Sequence, residues 1–180
     1  MRNINLKPNA SFKKDDQRRM VKTISFIKEI KGTVLDIGYP NPVGNFIAKW
    51  FNVKKENTFF DLDFPNFTKK KYDNIWIFEV IEHLMNPLLF LIELKKVCTK
   101  ETRIFLTYPI RPRLFWAKTH FHEYDRQRFR YMLNEAEYKI IRYQQKIHWR
   151  PDWWFYLSGI RPFLRLTIGC CKQQFYELKI

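Results

Sequence analysis

The distribution of apolar and polar residues predicts helices and strands that alternate along the chain. Apolar residues at helical spacing predict a first helix over 15–30, ended at Gly32. The β-branched segment TVLDI (33–37) predicts a strand, and VGNFIAKWF (43–51) predicts a helix. NTFFD (57–61) reads as a second strand.

The continuous apolar run Ile75–Phe78 predicts a strand buried on both faces of a sheet. The largely polar residues 64–74 precede it and leave no room for a further helix and strand. Downstream, the pattern predicts a helix over 87–99, a strand over 102–109 ended by Pro109, a helix from Asp125 to about Ala136, and an outer strand over 138–149. Residues 164–180 predict a final strand pair or one long edge strand. This alternation is typical of an α/β fold.

The length of 180 residues fits a single domain over 1–180, and the 46% hydrophobic content predicts a folded core. The net charge of +15 is concentrated at the two ends of the chain. Residues 1–31 carry 9 basic and 3 acidic side chains, and residues 138–180 carry 8 basic and 2 acidic ones. We expect residues 1–13 to form a flexible basic arm. Such charge favours an anionic partner such as nucleic acid, anionic lipid or a phosphorylated substrate, although solubility alone also explains it.

The cysteine pattern and the absence of targeting segments bear on localisation. Cys98, Cys170 and Cys171 form no CxxC pair and no disulfide framework, which fits a reducing compartment. The sequence contains neither a signal peptide nor an apolar stretch long enough to be a transmembrane helix. We therefore expect a cytoplasmic protein.

A turn that contains Gly38 separates the first predicted strand from the following helix. A strand, a glycine turn and a helix together hold nucleotide-like ligands, because the backbone approaches the ligand and the helix N-terminus supplies N–H donors. Asp61 follows Gly38 by 23 residues, a spacing at which a carboxylate accepts hydrogen bonds from ribose hydroxyls. Asp63 is the alternative ribose ligand.

Three polar side chains, Glu79, Glu82 and His83, directly follow the buried strand. The carboxyl ends of strands in open α/β sheets are where ligands bind. If a helical turn begins at Glu79, the spacing places all three side chains on one face. Such a set can bind a divalent ion, transfer protons, or form only local hydrogen bonds.

The order of elements, with LDIG at 35–38 and EVIEHLMNP at 79–87, resembles that of the class I S-adenosylmethionine-dependent methyltransferases over roughly residues 14–148. EVIEHLMNP is similar to the type 11–12 branch of that family. The resemblance implies a Rossmann-like, doubly wound sheet with a shortened or missing third strand and antiparallel C-terminal strands. It also implies S-adenosylmethionine as cofactor. The chain departs from the family's G-x-G-x-G turn, since Pro40 and Pro42 stand in the turn and only Gly44 follows.

The resemblance also implies which residues hold the cofactor. Asp36 and Gly38 would line the methionine end, with Tyr39 in the same set; Asp61 or Asp63 would hold the ribose; and Phe78 and Glu79 would lie beside the cofactor.

A second resemblance involves HFHEYDRQRF (120–129), which fits the pattern H-x-x-E-(W/Y)-x-R-x-x-F. This pattern is similar to one in the metal-dependent methyltransferases that modify the 3′-terminal 2′-hydroxyl of small RNAs. It implies a divalent ion, Mg²⁺ or Mn²⁺, bound by Glu79, Glu82, His83 and His120. Glu82, His83 and His120 are the candidate catalytic residues, with either histidine as general base if no ion is used. Ubiquinone-pathway O-methyltransferases share the E-x-x-E-H element without an RNA substrate.

The aromatic and basic segment 149–165 has three interpretations. It stacks on bases and binds phosphates, it makes peripheral contact with a membrane that carries a lipid-linked substrate, or it is a lid on the sheet. We predict an S-adenosylmethionine-dependent methyltransferase that transfers a methyl group to an oxygen of a small-molecule, sugar or lipid-linked acceptor. One alternative is an RNA 2′-O-methyltransferase with a divalent metal. Another is a catalytically silent binding module of the same fold.

Overall fold

The computed structural model describes residues 14–110, 118–149 and 171–180. Its elements are α1 (Lys14–Ile27), β1 (Val34–Asp36), α2 (Pro42–Phe51), β2 (Lys55–Asn57), β3 (Asn74–Phe78), α3 (Pro87–Leu94), β4 (Arg103–Ile110), α4 (Arg126–Glu135), β5 (Lys139–Trp149) and β6 (Cys171–Lys179). Short 3-10 turns at Ile81–His83 and Lys95–Val97 flank α3. The predicted arm 1–13, the predicted binding segment or lid from residue 150 onward, and Cys170 lie outside the described residues.

The strands form one six-stranded sheet in the order β2-β1-β3-β4-β6-β5. The pairs among β1, β2, β3 and β4 are parallel, whereas β6 is antiparallel to both β4 and β5. These pairings confirm the predicted α/β class and the antiparallel C-terminal pairing. Residues 58–73 connect β2 to β3 without an intervening strand, as expected for a minimal sheet. No helix within the described ranges is both long and apolar enough to cross a bilayer.

Helices cover the sheet on two faces. On the α1/α2 face, Trp76, Phe105 and Phe175 pack against the first two helices. On the α3/α4 face, Ile75 and Tyr176 pack against the later helices. Successive residues of a strand point to opposite faces, so a strand covered on both sides needs a continuous apolar run, and Ile75–Phe78 is such a run.

The last strand was predicted to be an edge strand or part of a pair, and the edge assignment is wrong. β6 lies inside the sheet, and β5 is the edge strand. Phe175, Tyr176 and Leu178 are fully buried, and their side chains fall on both faces of β6. An interior strand requires such burial on both faces, whereas β5 keeps Ile141 and Ile147 half-exposed.

Two boundaries in the first half differ from the prediction. α1 ends at Ile27 and not near Ile30, because Lys28 adopts a left-handed φ of 70°. The predicted strand over 57–61 is wrong, since β2 ends at Asn57. The Asn57 and Thr58 side chains instead bond the glycine turn.

β4 continues through Pro109, although proline was expected to end it. Thr107 accepts a hydrogen bond from the residue that follows β3, so its backbone faces β3. Pro109 has the same orientation two residues later, where β3 has already ended at Phe78. The missing N–H of Pro109 therefore costs no ladder hydrogen bond.

α4 agrees with its prediction. Asp125 caps the helix, and its Oδ1 accepts hydrogen bonds from the N–H groups of Gln127 at 2.8 Å and Arg128 at 2.9 Å. The helix ends at Glu135, with Ala136 as the C-cap.

Candidate functional site

The glycine turn after β1 is tied to the end of β2. Gly38 has a φ of +99°, which is strained for residues with a Cβ. Its N–H donates to Thr58 Oγ1 at 2.7 Å, and its carbonyl accepts from Asn57 Nδ2 at 2.9 Å. A Cβ added to Gly38 would meet no heavy atom within 4 Å, so the turn faces open space. The backbone at Gly38 is therefore uncovered on this side, which leaves space for a ligand to approach it.

Asp36, a predicted cofactor residue, lies beneath this turn. Its carboxylate is 2% exposed, and its Oδ2 lies 2.9 Å from Lys55 Nζ. Burial raises the pKa of Asp36, while its hydrogen bond and the positive charge of Lys55 act in the opposite direction. A Cβ on Gly44 would overlap the Asp36 carboxylate, so glycine there allows α2 to pack on it. The Asp36 carboxylate thus packs between Lys55 and Gly44 of α2, next to the glycine turn.

The predicted ribose ligands, Asp61 and Asp63, do not lie at a strand end, because β2 stops at Asn57. Asp61 is exposed, and its Oδ1 accepts the N–H of Asp63 at 3.0 Å. Asp63 Oδ1 accepts the N–H groups of Met85 at 2.7 Å and Asn86 at 2.8 Å. Asp63 therefore orders the segment that leads into α3.

Glu79 directly follows β3 and has an uncommon φ of +57°. Its Oε1 accepts hydrogen bonds from Thr107 Oγ1 at 3.0 Å and Gln173 Nε2 at 3.1 Å. Its Oε2 lies 3.7 Å from Arg19 Nη1. One carboxylate thus contacts side chains from β4, β6 and α1.

A cavity of about 310 Å³ lies between these groups, at the carboxyl ends of β1, β3 and β4. Four predicted cofactor residues line it: Gly38, Tyr39, Phe78 and Glu79. Asp36, Asp61 and Asp63 do not. The sequence analysis missed the remaining lining residues, which are Arg19, Thr23, Ile37, Asn41, Val43, Val80, Thr107 and Gln173. Ile37, Asn41, Val43 and Val80 adjoin the two motifs in the sequence and could have been found from them, whereas Arg19, Thr23 and Gln173 reach the cavity only through the tertiary fold.

Glu82, His83 and His120 form a separate group, called here the Glu–His cluster. Their potential ligand atoms all lie within 4.8 Å of one another. The 3-10 turn begins at Ile81, so Glu79 is outside it and faces the cavity instead of this cluster. The loop that carries His120 is fixed by the Glu82 carbonyl, which accepts the N–H of Phe121 at 3.0 Å.

Both imidazoles of the Glu–His cluster are oriented through Nδ1. His83 Nδ1 lies 2.9 Å from the Thr119 carbonyl, which can only accept, so this nitrogen carries the proton. His120 Nδ1 lies 2.8 Å from Glu123 Oε1, and the His120 side chain is only 4% exposed. With Nδ1 used in this way, Nε2 is the ring nitrogen of each histidine that is left to bind an ion or to accept a proton.

Two further residues complete the surroundings of the cluster. Burial, and secondarily the charge of Glu82, raises the pKa of Tyr124, so this phenol stays protonated at neutral pH. The His122 ring stacks on Tyr124 at 5.4 Å, and its Nε2 lies 3.3 Å from the Met85 carbonyl. His122 therefore packs beside the cluster without being one of its three members.

No protein-family model matches the chain, and no curated protein sequence resembles it significantly. Solved structures do match. An S-adenosylmethionine-dependent methyltransferase from Archaeoglobus fulgidus has a TM-score of 0.67 at 13% identity, over 91% of this chain and 94% of the other. Coclaurine N-methyltransferase, bound to N-methylheliamine and S-adenosylhomocysteine, gives 0.61 at 13% identity, over 89% and 72%. The cyclase SpnF gives 0.59 at 10% identity, over 90% and 80%.

These neighbours include two methyltransferases and a cyclase, so shared architecture at such low identity does not assign a reaction. What they share with this chain is the arrangement of strands and helices. The chain therefore has the fold of the class I S-adenosylmethionine-dependent methyltransferases.

Proposed function

We propose that this chain is an S-adenosylmethionine-dependent methyltransferase that methylates an oxygen of a small-molecule acceptor. The cavity between the glycine turn and Glu79 carries the proposal. It lies at the crevice where open α/β sheets bind nucleotides, and the open backbone of Gly38 and the carboxylate of Glu79 both suit a cationic adenosyl ligand. S-adenosylmethionine would supply a methyl group bound to a positively charged sulfur.

His120 is the proposed general base. Glu123 holds Nδ1–H, leaves Nε2 basic, and stabilises the imidazolium once it forms. Methyl transfer to a hydroxyl forms a carbon–oxygen bond and breaks the carbon–sulfur bond, whose electron pair stays on sulfur. The hydroxyl proton passes to His120 Nε2. His83 Nε2 offers an acceptor for a second donor group of the substrate, which would hold the substrate in position for in-line attack.

A divalent ion is the second candidate for the Glu–His cluster. One carboxylate and two imidazoles with free Nε2 lone pairs form a suitable donor set, and Thr119 and Glu123 provide the supporting hydrogen bonds that metal-bound histidines use. Glu82, His83 and His120 would hold the ion, which would lower the pKa of an acceptor hydroxyl. We leave Glu79 out of this set, because Thr107 and Gln173 already bond its carboxylate.

The neighbourhood of the cluster favours an acceptor with an apolar part. Phe121 is 64% exposed and Met85 is 58% exposed. Phe121 is bonded to the Glu82 carbonyl, and the Met85 carbonyl is bonded to His122, so both apolar side chains lie beside the cluster. Large exposed apolar side chains next to polar groups are typical of small-molecule sites.

The test uses methyl-labelled S-adenosylmethionine with three acceptor pools: hydroxylated aromatics and glycosides, lipid-linked glycans, and short single-stranded RNA. We expect S-adenosylhomocysteine to form with the first pool, and His120→Ala to slow its formation about a thousandfold. His122→Ala is the matched control on the same loop and should retain activity. Product from RNA alone would instead support the RNA 2′-O-methyltransferase.

Two further measurements separate the remaining alternatives. Calorimetry with S-adenosylhomocysteine that gives no binding would contradict the proposal and favour the silent module. Chelation followed by Mn²⁺ addition tests whether the reaction needs a divalent ion. Activity that is lost and then restored would support an ion at the Glu–His cluster. Activity that neither treatment changes would contradict it.

A further inference from the structure

We infer that the outer face of α3 is a docking surface for a membrane that contains anionic phospholipids. This inference goes beyond the proposed function and does not depend on it, because the surface lies outside the cavity lining and outside the Glu–His cluster. Its apolar part consists of four exposed side chains, called here the α3 apolar surface: Phe64, Met85, Leu89 and Ile92.

α3 is more apolar than a helix on the outside of a sheet needs to be. Its sequence PLLFLIEL contains one charged residue, Glu93. Phe90 and Leu91 are fully buried in the core. On the outer face, Leu89 is 38% exposed and Ile92 is 45% exposed. A helix that is apolar all round is normally buried, whereas a surface helix carries polar residues on its outer face. The outer face of α3 therefore lacks an apolar environment among the described residues.

The four side chains are neighbours along one side of the helix. Leu89 and Ile92 are three residues apart on α3, so they share a helical face. Met85 lies four residues before Leu89, just before the helix begins. Asp63 Oδ1 accepts the N–H of Met85 at 2.7 Å, which ties the segment that carries Phe64 to the start of α3. Phe64 is 75% exposed. Grouped apolar side chains of this size mark interaction surfaces, whereas scattered ones need no explanation.

Lysines adjoin the C-terminal end of the α3 apolar surface. α3 continues into a 3-10 turn in which Lys96 follows Ile92 by four residues, and the Lys96 side chain is 58% exposed. Lys71 Nζ donates to the Lys96 carbonyl at 2.8 Å, and Lys69, two residues earlier, is exposed. The acidic residue of α3, Glu93, is paired with Lys96. An apolar strip beside lysines, whose long side chains reach lipid headgroups, is typical of surfaces that bind the membrane interface.

Other partners fit this surface less well. A two-fold contact between two copies of the chain would bring the same surface of each copy together, with its lysines. Each copy has a net charge of +15, so the two would repel one another. A nucleic acid would match the charge but offers no apolar layer to Leu89 and Ile92. An anionic bilayer attracts the lysines and also accommodates the apolar side chains.

Docking through this surface would bring the Glu–His cluster close to the lipid headgroups. The Met85 carbonyl lies 3.3 Å from His122 Nε2, beside the cluster. Phe121, in the same loop, is 64% exposed. Hydroxylated aromatic acceptors that partition into the interface would then reach the cluster from the membrane side.

Vesicle flotation of the full chain tests the docking surface. One set of vesicles contains equal parts of phosphatidylglycerol and phosphatidylcholine, and the other contains phosphatidylcholine alone. We expect binding to the anionic vesicles that is lost at high salt, and little binding to the neutral ones. Phe64→Ser should weaken the partition onto anionic vesicles roughly tenfold, and Ile92→Ser roughly fivefold, because less apolar area leaves water. Lys96→Gln should weaken it roughly fivefold.

Matched controls carry the same substitutions on other surfaces. Ile147, on the edge strand β5, is 50% exposed, close to the 45% of Ile92, so Ile147→Ser removes a similar apolar area. Lys54→Gln makes the same charge change as Lys96→Gln at an exposed position between α2 and β2. Both controls should bind the anionic vesicles nearly as tightly as the unmodified chain does.

Several results would overturn the inference. Equal losses in the variants and their controls would mean that total charge, and not this surface, drives binding. Equal binding to neutral vesicles would remove the role of the lysines. A dimer that forms without lipid and that Ile92→Ser dissociates would assign the surface to a second copy of the chain. None of these results bears on the proposed function, because none of them measures cofactor binding or methyl transfer.

Discussion

The cavity and the Glu–His cluster lie at the same edge of the sheet but are built differently. The cavity is bounded by α1, α2 and the ends of parallel strands, and its carboxylate, Glu79, is held by neighbours from two other strands. The cluster is built from a 3-10 turn and a loop, beside the α3/α4 face where Ile81 packs. Glu79 and Glu82 are three residues apart, yet the left-handed φ of Glu79 sends them to different groups. One short motif thereby contributes to both the cavity and the Glu–His cluster.

If these two groups have separate roles, variants should separate binding from turnover. His120→Ala removes the proposed base, and we expect the rate of S-adenosylhomocysteine formation to fall about a thousandfold, or ~4 kcal/mol of barrier. Its affinity for S-adenosylhomocysteine should stay unchanged. Gly38→Ala should do the opposite and weaken binding by roughly tenfold, because φ +99° is strained for alanine and Asn57 and Thr58 prevent the turn from relaxing.

Single-turnover rates and calorimetry on the same preparations check this pair. Loss of S-adenosylhomocysteine affinity in His120→Ala would mean that the two groups form one binding site. Normal binding in Gly38→Ala would remove the glycine turn from the cofactor site.

Lys55→Met tests the buried ion pair between Lys55 and Asp36, which lies next to the cavity. The Lys55 and Asp36 side chains are only 7% and 2% exposed, so the variant leaves a buried carboxylate without its charge partner. We expect a loss of about 3 kcal/mol in the free energy of unfolding at neutral pH. Burial already raises the pKa of Asp36, and loss of the opposing Lys55 interactions raises it further.

The pH dependence has a definite sign. An acid whose folded pKa is raised binds its proton more tightly in the folded state, so its contribution to stability is lost as pH rises through the folded pKa. The difference between Lys55→Met and the unmodified chain should therefore shrink as the pH is lowered. Urea denaturation at neutral and acidic pH measures it, with the exposed Lys54→Met as control. Equal differences at both pH values would exclude Asp36 as the cause.

Glu123→Gln sharpens the role of the Glu–His cluster. The amide oxygen can still accept from His120 Nδ1–H, but it no longer carries the charge that stabilises an imidazolium. We expect turnover to fall about tenfold, as for other residues that support a histidine. Binding of S-adenosylhomocysteine should not change. Glu135→Gln, exposed at the end of α4, is the control, and an equal effect of both variants would refute this role.

The sequence predicted best those features that short-range physics determines. The apolar run of β3 requires burial on both faces, and Asp125 carries its own capping oxygen, so both were confirmed. The family resemblance added the sheet type and the cavity residues Gly38 and Glu79. The extent of the domain and the roles of residues 1–13 and 149–165 stay predictions.

The missed features depend on distant parts of the chain. NTFFD has strand-like composition, yet β2 ends early because Asn57 and Thr58 bond the glycine turn instead of a neighbouring strand. Arg19 and Gln173 meet at the cavity only because β6 enters the sheet beside β4 and α1 packs on the same face. No periodicity or spacing in the sequence predicts such contacts between residues that are far apart in the chain.

The backbone at Glu79 offers the subtlest test of the comparison. Glu79→Gly and Glu79→Ala both remove the carboxylate, so they lose the same contacts with Thr107 and Gln173. They differ in the cost of φ +57°, and we expect the glycine variant to be more stable than the alanine variant by about 1 kcal/mol. Chemical denaturation measures the difference. At Val80, where the neighbouring φ is −117°, the order should reverse. If Glu79→Ala is more stable than Glu79→Gly, backbone strain at position 79 is not the reason that Glu79 and Glu82 point to different groups. If Glu79→Gly is the more stable, the chain keeps a glutamate at a position whose backbone favours glycine. Its carboxylate must then make interactions that offset the strain.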